Sequence, residues 1–116
     1  MGLERFTESR RSNVPKASIR KSGFRIGINI AAAREYKLDA YSFVVLFYDE
    51  SKKTVGIRFT KNEKEEGAHN LIRNPKIGMM LYAKAFIQRY NLDKYIGKTF
   101  DVRWDARNQM LLFDLE

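Results

Sequence analysis

One motif occurs twice in this chain. The segment AAAREYKLDAY, Ala31 to Tyr41, lies over AFIQRYNLDKY, Ala85 to Tyr95, at an offset of 54, so that Tyr36, Leu38, Asp39 and Tyr41 recur as Tyr90, Leu92, Asp93 and Tyr95. Past a two-residue insertion the offset becomes 56: Tyr48-Asp49 meets Trp104-Asp105 and Ile57 meets Phe113. Apolar positions match on both sides of the shared residues, which favours duplication over coincidence. A unit of fewer than roughly 40 residues rarely stabilises itself, and one apolar sheet face needs another. Two such units are therefore expected to share a single core.

Each unit reads as strand, short helix, strand, strand. In the first, Ile26, Ile28 and Ile30 alternate with Arg25, Gly27 and Asn29, the pattern of a strand buried on one side. Asn29 or a neighbour can cap the Ala-rich run Ala31 to Leu38, which holds about two turns of helix. Tyr41 to Tyr48 and Thr54 to Phe59 form a hairpin around the polar reversal Asp49 to Lys53, with Val55, Ile57 and Phe59 on one face. In the second unit Asn74-Pro75 resembles the start of one long helix over Ile77 to Tyr90. The repeat predicts instead a strand over Ile77 to Tyr82 and a helix over Ala83 to Asn91, and Gly78 weakens the helical alternative. Lys98 to Trp104 and Gln109 to Leu115 close a second hairpin turning at Asp105 to Asn108, with Phe100, Val102 and Trp104 on one face.

The expected architecture is thus α+β and β-rich, two tandem strand-helix-strand-strand repeats in one pseudo-twofold, barrel-like domain over residues 22–116. Repeat one spans 23–60, a connection 61–76, and repeat two 77–116, with a turn expected near Asn70 to Arg73. Residues 1–21 read as a flexible basic arm: Arg5, Arg10, Arg11, Lys16, Arg20 and Lys21 face only Glu4 and Glu8, and there is little to bury.

Charge narrows the partner. The 22 Lys and Arg against 14 Asp and Glu give a formal +8 and a sequence pI near 9.8, which suits a polyanion. The absence of cysteine excludes disulfides and cysteine metal sites, and the single histidine, His69, reads as a surface residue in the connection. No apolar run approaches the roughly 20 residues of a membrane span, and the N-terminal stretch lacks the apolar core of a signal peptide, so a cytoplasmic location and no membrane partner are expected. No Ser/His/Asp or Cys/His set and no Gly-rich phosphate loop is present. The repeated aspartates, Asp39 with Asp93 and Asp49 with Asp105, suit helix ends and turns better than a metal-dependent nuclease. No enzyme, cofactor or metal is expected.

The candidate nucleic-acid-binding residues are Arg10, Arg11, Arg20, Lys21, Arg25, Arg34 and Arg58, with Arg34 expected to approach the same rim as Arg25. Duplex DNA is the first partner. A single-stranded DNA or RNA binder using exposed aromatics, and a basic protein–protein interaction module, are the alternatives, and a homodimer or partner protein is compatible with the sequence.

The first unit resembles the swapped-hairpin half-barrel of the AbrB, SpoVT and MazE family of DNA-binding proteins. The resemblance is carried by Arg25, Ile26, Ile28, Asn29 and Ile30, then Tyr36 and Leu38, then Phe47-Tyr48-Asp49 and Val55 to Ile57; it covers about one third of the chain well. Asn29 stands where the family usually has proline. The resemblance implies that this chain fuses two halves that most members bring together as a dimer. It also implies DNA binding through basic side chains of the first strand and its flanks, in a transcriptional regulator or an antitoxin-like module.

Overall fold

Alternation in RIGIN does produce a strand, Arg25–Asn29 (β2), whose Ile26 and Ile28 are buried. The computed structural model describes residues 14–21 and 23–116, a strand-rich α/β domain with two antiparallel sheets. At the end of β2 Asn29 keeps an extended backbone (φ −72°, ψ 166°) and caps the helix α1, Ile30–Glu35. Its Oδ1 accepts from Ala32 N and from Lys16 N, both at 3.0 Å, and its Nδ2 donates to the Val14 carbonyl at 2.8 Å. One amide therefore satisfies an orphan helix N–H and also secures the start of the preceding strand.

That preceding strand is Lys16–Arg20 (β1), which pairs with β2 through Arg20↔Arg25 and Ile19↔Ile26. Ala17 and Ile19 are buried, which supplies the apolar area needed to offset the entropy of ordering the segment. The expected flexible arm over 1–21 is thus corrected: residues 16–20 belong to the domain, and the domain does not begin at 22. Alternation of only two apolar residues, Ala17 and Ile19, with polar ones hid the strand. The rest of the expected arm, 1–13, lies outside the described residues.

After α1 come a 3₁₀ turn at Leu38–Ala40 and the hairpin of Phe43–Asp49 (β3) and Thr54–Thr60 (β4). The chain continues through His69–Asn70 (β5), Ile72–Asn74 (β6), Gly78–Tyr82 (β7), a helix Lys84–Arg89 (α2), a 3₁₀ turn at Leu92–Tyr95, and Thr99–Asp101 (β8), Arg103–Asp105 (β9) and Met110–Asp114 (β10). Residues 77–90 are therefore a strand and a short helix, as the repeat predicts, and not one long helix. Left-handed residues fall in matching places: Lys37 (φ 54°) and Asn91 (φ 55°) before the two 3₁₀ turns, Lys53 (φ 53°) and Gln109 (φ 53°) before β4 and β10. These pairs stand at the offsets of 54 and 56 read from the sequence.

The first sheet has the order β6-β7-β2-β1-β8 and the second β5-β3-β4-β10-β9. Two departures from expectation occur at the corners. The connection 61–76 contains β5 and β6, which flank buried Leu71 and pair with β3 and β7, so Asn70 to Arg73 is not a turn. The strand expected over Lys98 to Trp104 breaks at Val102, leaving β8 in one sheet and β9 in the other. Both corners pass the chain from sheet to sheet.

Between the sheets lie Ile19, Ile26, Ile28, Leu81, Val55, Ile57, Phe59, Leu111 and Phe113, with Leu38, Ile87 and Leu92 closing the core from the helical segments. The aromatic residues are mostly core, as strand alternation implies. Trp104 stacks on Tyr36 (5.2 Å, 11°), and Tyr48 meets Tyr90 (4.9 Å) and Phe86 (6.4 Å).

Candidate nucleic-acid interface

The outward face of the first sheet follows from strand alternation and register. One row across it is Arg20, Arg25 and Tyr82; the next is Ser18, Gly27 and Met80; the third is Lys16, Asn29 and Gly78. Gly27 matters because it has no side chain. A Cβ there would stand 2.7 Å from Arg20 Nε, so the glycine lets the Arg20 guanidinium lie across the sheet, where Nε donates to Ser18 Oγ at 3.4 Å. Arg25 turns toward Met80 Sδ (3.1 Å) with its guanidinium 6.0 Å from the Tyr82 ring centroid, and the Tyr82 ring is 56% exposed.

Lys21 is exposed in the β1–β2 turn, beside Gly23 and Phe24, which both take positive φ. The same end of the sheet receives two further cations from the second half of the chain. Ala83 N donates to the Phe24 carbonyl at 2.9 Å, and this seats the start of α2 against the turn with Lys84 Nζ 5.9 Å from the Phe24 ring. Gly97 N donates to the Ile19 carbonyl (2.7 Å) and Ile19 N to the Lys98 carbonyl (3.2 Å), which brings Lys98 alongside β1. Arg20, Lys21, Arg25 and Lys84 thus converge at one end, with Lys98 entering beside them and its ammonium 5.7 Å from the Tyr95 ring, near Glu116. Lys84 and Lys98 were missed by sequence reasoning because they lie more than 60 positions from the β1–β2 turn and no local pattern marks them. The pairing of β2 with β7 places Lys84 there, and the pairing of β1 with β8 places Lys98.

Not all expected site residues join this end. Arg34 does not approach the Arg25 rim: α1 begins where β2 ends, at the opposite end from Arg25, and Arg34 lines a hollow with Asp39, Arg73, Asn74 and Gly78. Arg58 is on the second sheet, ion-paired with Glu65 and 5.8 Å from the Phe47 ring centroid. That pairing takes it out of the cationic set. Arg10 and Arg11 lie outside the described residues.

Among the described residues the other ion pairs join Lys16 with Asp101, Arg73 with Asp39 at 3.8 Å and Arg103 with Asp114 at 2.7 Å. None of them involves Arg20, Lys21, Lys84 or Lys98. Away from the turn, Lys16, Ser18, Arg20, Asn29, Lys76, Ile77 and Thr99 line an open groove of about 470 Å³ along β1.

The repeated aspartates have structural work. Asp49 Oδ1 accepts from Ser51 Oγ (2.8 Å) and Lys52 N (3.2 Å); Asp105 accepts from the Asn108 amide (2.7 Å) and from Arg107 N and Asn108 N (3.1 and 3.3 Å). These bonds, the side-chain ones first, hold both carboxyls below their usual range. Both residues shape hairpin turns.

The chain matches no family model, no curated protein and no solved structure. Among the described residues no helix is long and apolar enough to cross a membrane.

Proposed function

We propose that the protein is a non-catalytic DNA-binding protein of the cytoplasm, acting as a transcriptional regulator or an antitoxin-like module. Duplex DNA meets it at the β1–β2 turn and the start of α2. The observation that carries this reading is the convergence of Arg20, Lys21, Arg25 and Lys84 from two separated stretches of chain, with Lys98 entering alongside β1 from a third. Cations spread for solubility alone have no reason to gather at one end, and side chains such as Lys21, Lys84 and Lys98, which form no ion pair among the described residues, can neutralise phosphates.

The same reading takes the chain as an internal duplication closed into a flattened barrel. The pairings support it. β4 with β10 pairs Gly56 with Leu112 at the offset of 56, β2 with β7 pairs Gly27 with Met80 within one residue of the offset of 54, and β1 with β8 has its counterpart in β5 with β3. On this view the unit includes one more strand than the sequence repeat suggests, and it stands closer to the AbrB, SpoVT and MazE arrangement. The exposed Tyr82 ring beside Arg25 favours a second reading, single-stranded nucleic acid stacked on that ring.

A gel-shift panel with duplex DNA, single-stranded DNA and RNA at two salt concentrations tests both. Duplex should bind most tightly, and replacing Lys21, Lys84 and Lys98 with Gln should lower the slope of log affinity against log salt by about 0.9 for each phosphate no longer neutralised. Stronger binding of single strands that depends on Tyr82 would transfer the assignment to the second reading. No binding to any of the three at low salt would remove both.

A further inference from the structure

The two ends of the first sheet are built alike and charged differently. At one end the β1–β2 turn sits against the start of α2; at the other the β6–β7 turn sits where α1 begins, with Asn29 paired to Gly78. Each end also has a lateral hydrogen bond, shifted by two residues on one strand: Ile19 N donates to the Lys98 carbonyl (3.2 Å) at one end and Leu71 N to the Ser42 carbonyl (3.1 Å) at the other.

Side chains at corresponding places diverge. The outermost row at the first end is Arg20, Arg25 and Tyr82, whereas at the second it is Asn74, Gly78 and Asn29. Lys98 answers to Ser42 at the offset of 56, and Lys84 to Ile30 at the offset of 54. The second end retains Arg34, Arg73 and Lys76, but Arg73 is committed to the first unit: it is paired with Asp39 at 3.8 Å and donates to the Asp39 carbonyl at 2.8 Å and to that of Tyr41. Glu35 is adjacent to Arg34 in the chain and is also exposed.

We infer that the chain engages DNA with one end only, and therefore reads a single asymmetric site and does not bridge two duplexes. This rests on the DNA-binding reading above. The physical reason is that phosphate binding requires several cations outside ion pairs within one patch: Arg20, Lys21 and Lys84 meet that condition among the described residues at one end, against Arg34 and Lys76 at the other. A symmetric pair of identical halves would carry the cluster at both ends, contacting paired half-sites or two separate duplexes. Here Gly78, Ser42 and Ile30 have replaced the cluster at one end.

The test uses the full chain with donor-labelled and acceptor-labelled duplexes of mixed sequence, about 16 base pairs each, in excess over protein, together with native mass spectrometry. One duplex per chain and no energy transfer between duplexes are expected. Lys21→Glu with Lys84→Glu should weaken binding by about tenfold or more, and Arg34→Glu with Lys76→Glu by less than about twofold. All four side chains are exposed, and unchanged melting temperatures verify that the variants fold; should a reversal unfold the chain, the Gln versions carry the same comparison. Energy transfer between duplexes, two duplexes per chain, or equal losses from the two pairs would overturn the one-ended arrangement while leaving DNA binding in place. Failure of the unsubstituted chain to bind at low salt would overturn the DNA reading itself.

Discussion

Gly78→Ala is the substitution for which the structure makes the sharpest demand. Gly78 opens β7 with φ +129°, a conformation that L side chains rarely adopt. An added Cβ would stand 2.1 Å from the Ile28 carbonyl oxygen, 2.7 Å from Asn29 C and 2.8 Å from Ile30 N. These are backbone atoms at the junction where β2 becomes α1, so no flexible side chain can move aside. The backbone strain costs about 1–3 kcal/mol, and prising β7 away from β2 costs about a further 1–3 kcal/mol, as overpacking does. At about 3–6 °C per kcal/mol for a domain of this size, the melting temperature should fall by about 10 °C or more near the middle of that range. Gly97→Ala is the control: φ is +90° but an added Cβ meets nothing within 4 Å, so only strain of about 1–2 kcal/mol applies. Urea and thermal denaturation followed by circular dichroism measure both. If Gly78→Ala proves no more destabilising than Gly97→Ala, the close approach of β7 to the β2–α1 junction is wrong.

Asn29→Ala should destabilise by about 2 kcal/mol, more than an ordinary cap, because it removes the α1 cap and the bonds to Lys16 N and the Val14 carbonyl together; Asn29→Asp, which keeps the acceptors, should lose less in the same urea titration. The hydrogen bond from Tyr95 to the Glu116 carboxylate, with burial adding to it, pushes the Tyr95 phenol up to about 12 from 10.0. A raised folded-state value stabilises below the unfolded one, so this contribution is complete under pH 10 and disappears as pH rises toward 12; melting temperatures measured across that window should fall less in Tyr95→Phe.

The parts legible in the sequence are those in which spacing alone decides. The repeat offsets located both short helices and both hairpins, and the left-handed residues of the structure recur at the same offsets, because duplicated apolar spacing imposes the same local geometry wherever it occurs. β1 was not legible: KASIR has only two apolar residues to show a pattern, and what makes it a strand is pairing with β2 on one side and β8 on the other. The same reason hid β5 and β6, two and three residues long. For the site, alternation correctly turned Arg25 outward, whereas Arg20, expected in the arm, takes its place opposite Arg25 through the pairing of β1 with β2. Alternation gave no information on Lys84 and Lys98, which arrive through long-range pairing, or on Glu65, which folds back onto Arg58 from the loop after β4.

Neither half of the chain has a core of its own, and the aromatic contacts make this measurable. Tyr36 lies just after α1, yet the ring stacked on it at 5.2 Å is Trp104, from β9 in the other half. Tyr90 lies just after α2, and the ring upon it at 4.9 Å is Tyr48, from β3. Each helix is thus closed over by a strand of the opposite half, while β2 with β7 and β4 with β10 join the halves at the middle of both sheets. Loosening one half strips the other of its covering aromatic, so the two cannot unfold in separate steps. Trp104, the single tryptophan, reports on the contact between halves, and far-UV circular dichroism reports on strands and helices throughout. The two signals should trace one coincident transition in urea. A tryptophan transition that precedes loss of secondary structure would mean that each half holds together without the other, and the exchange of aromatic covers would then not be what stabilises the helices.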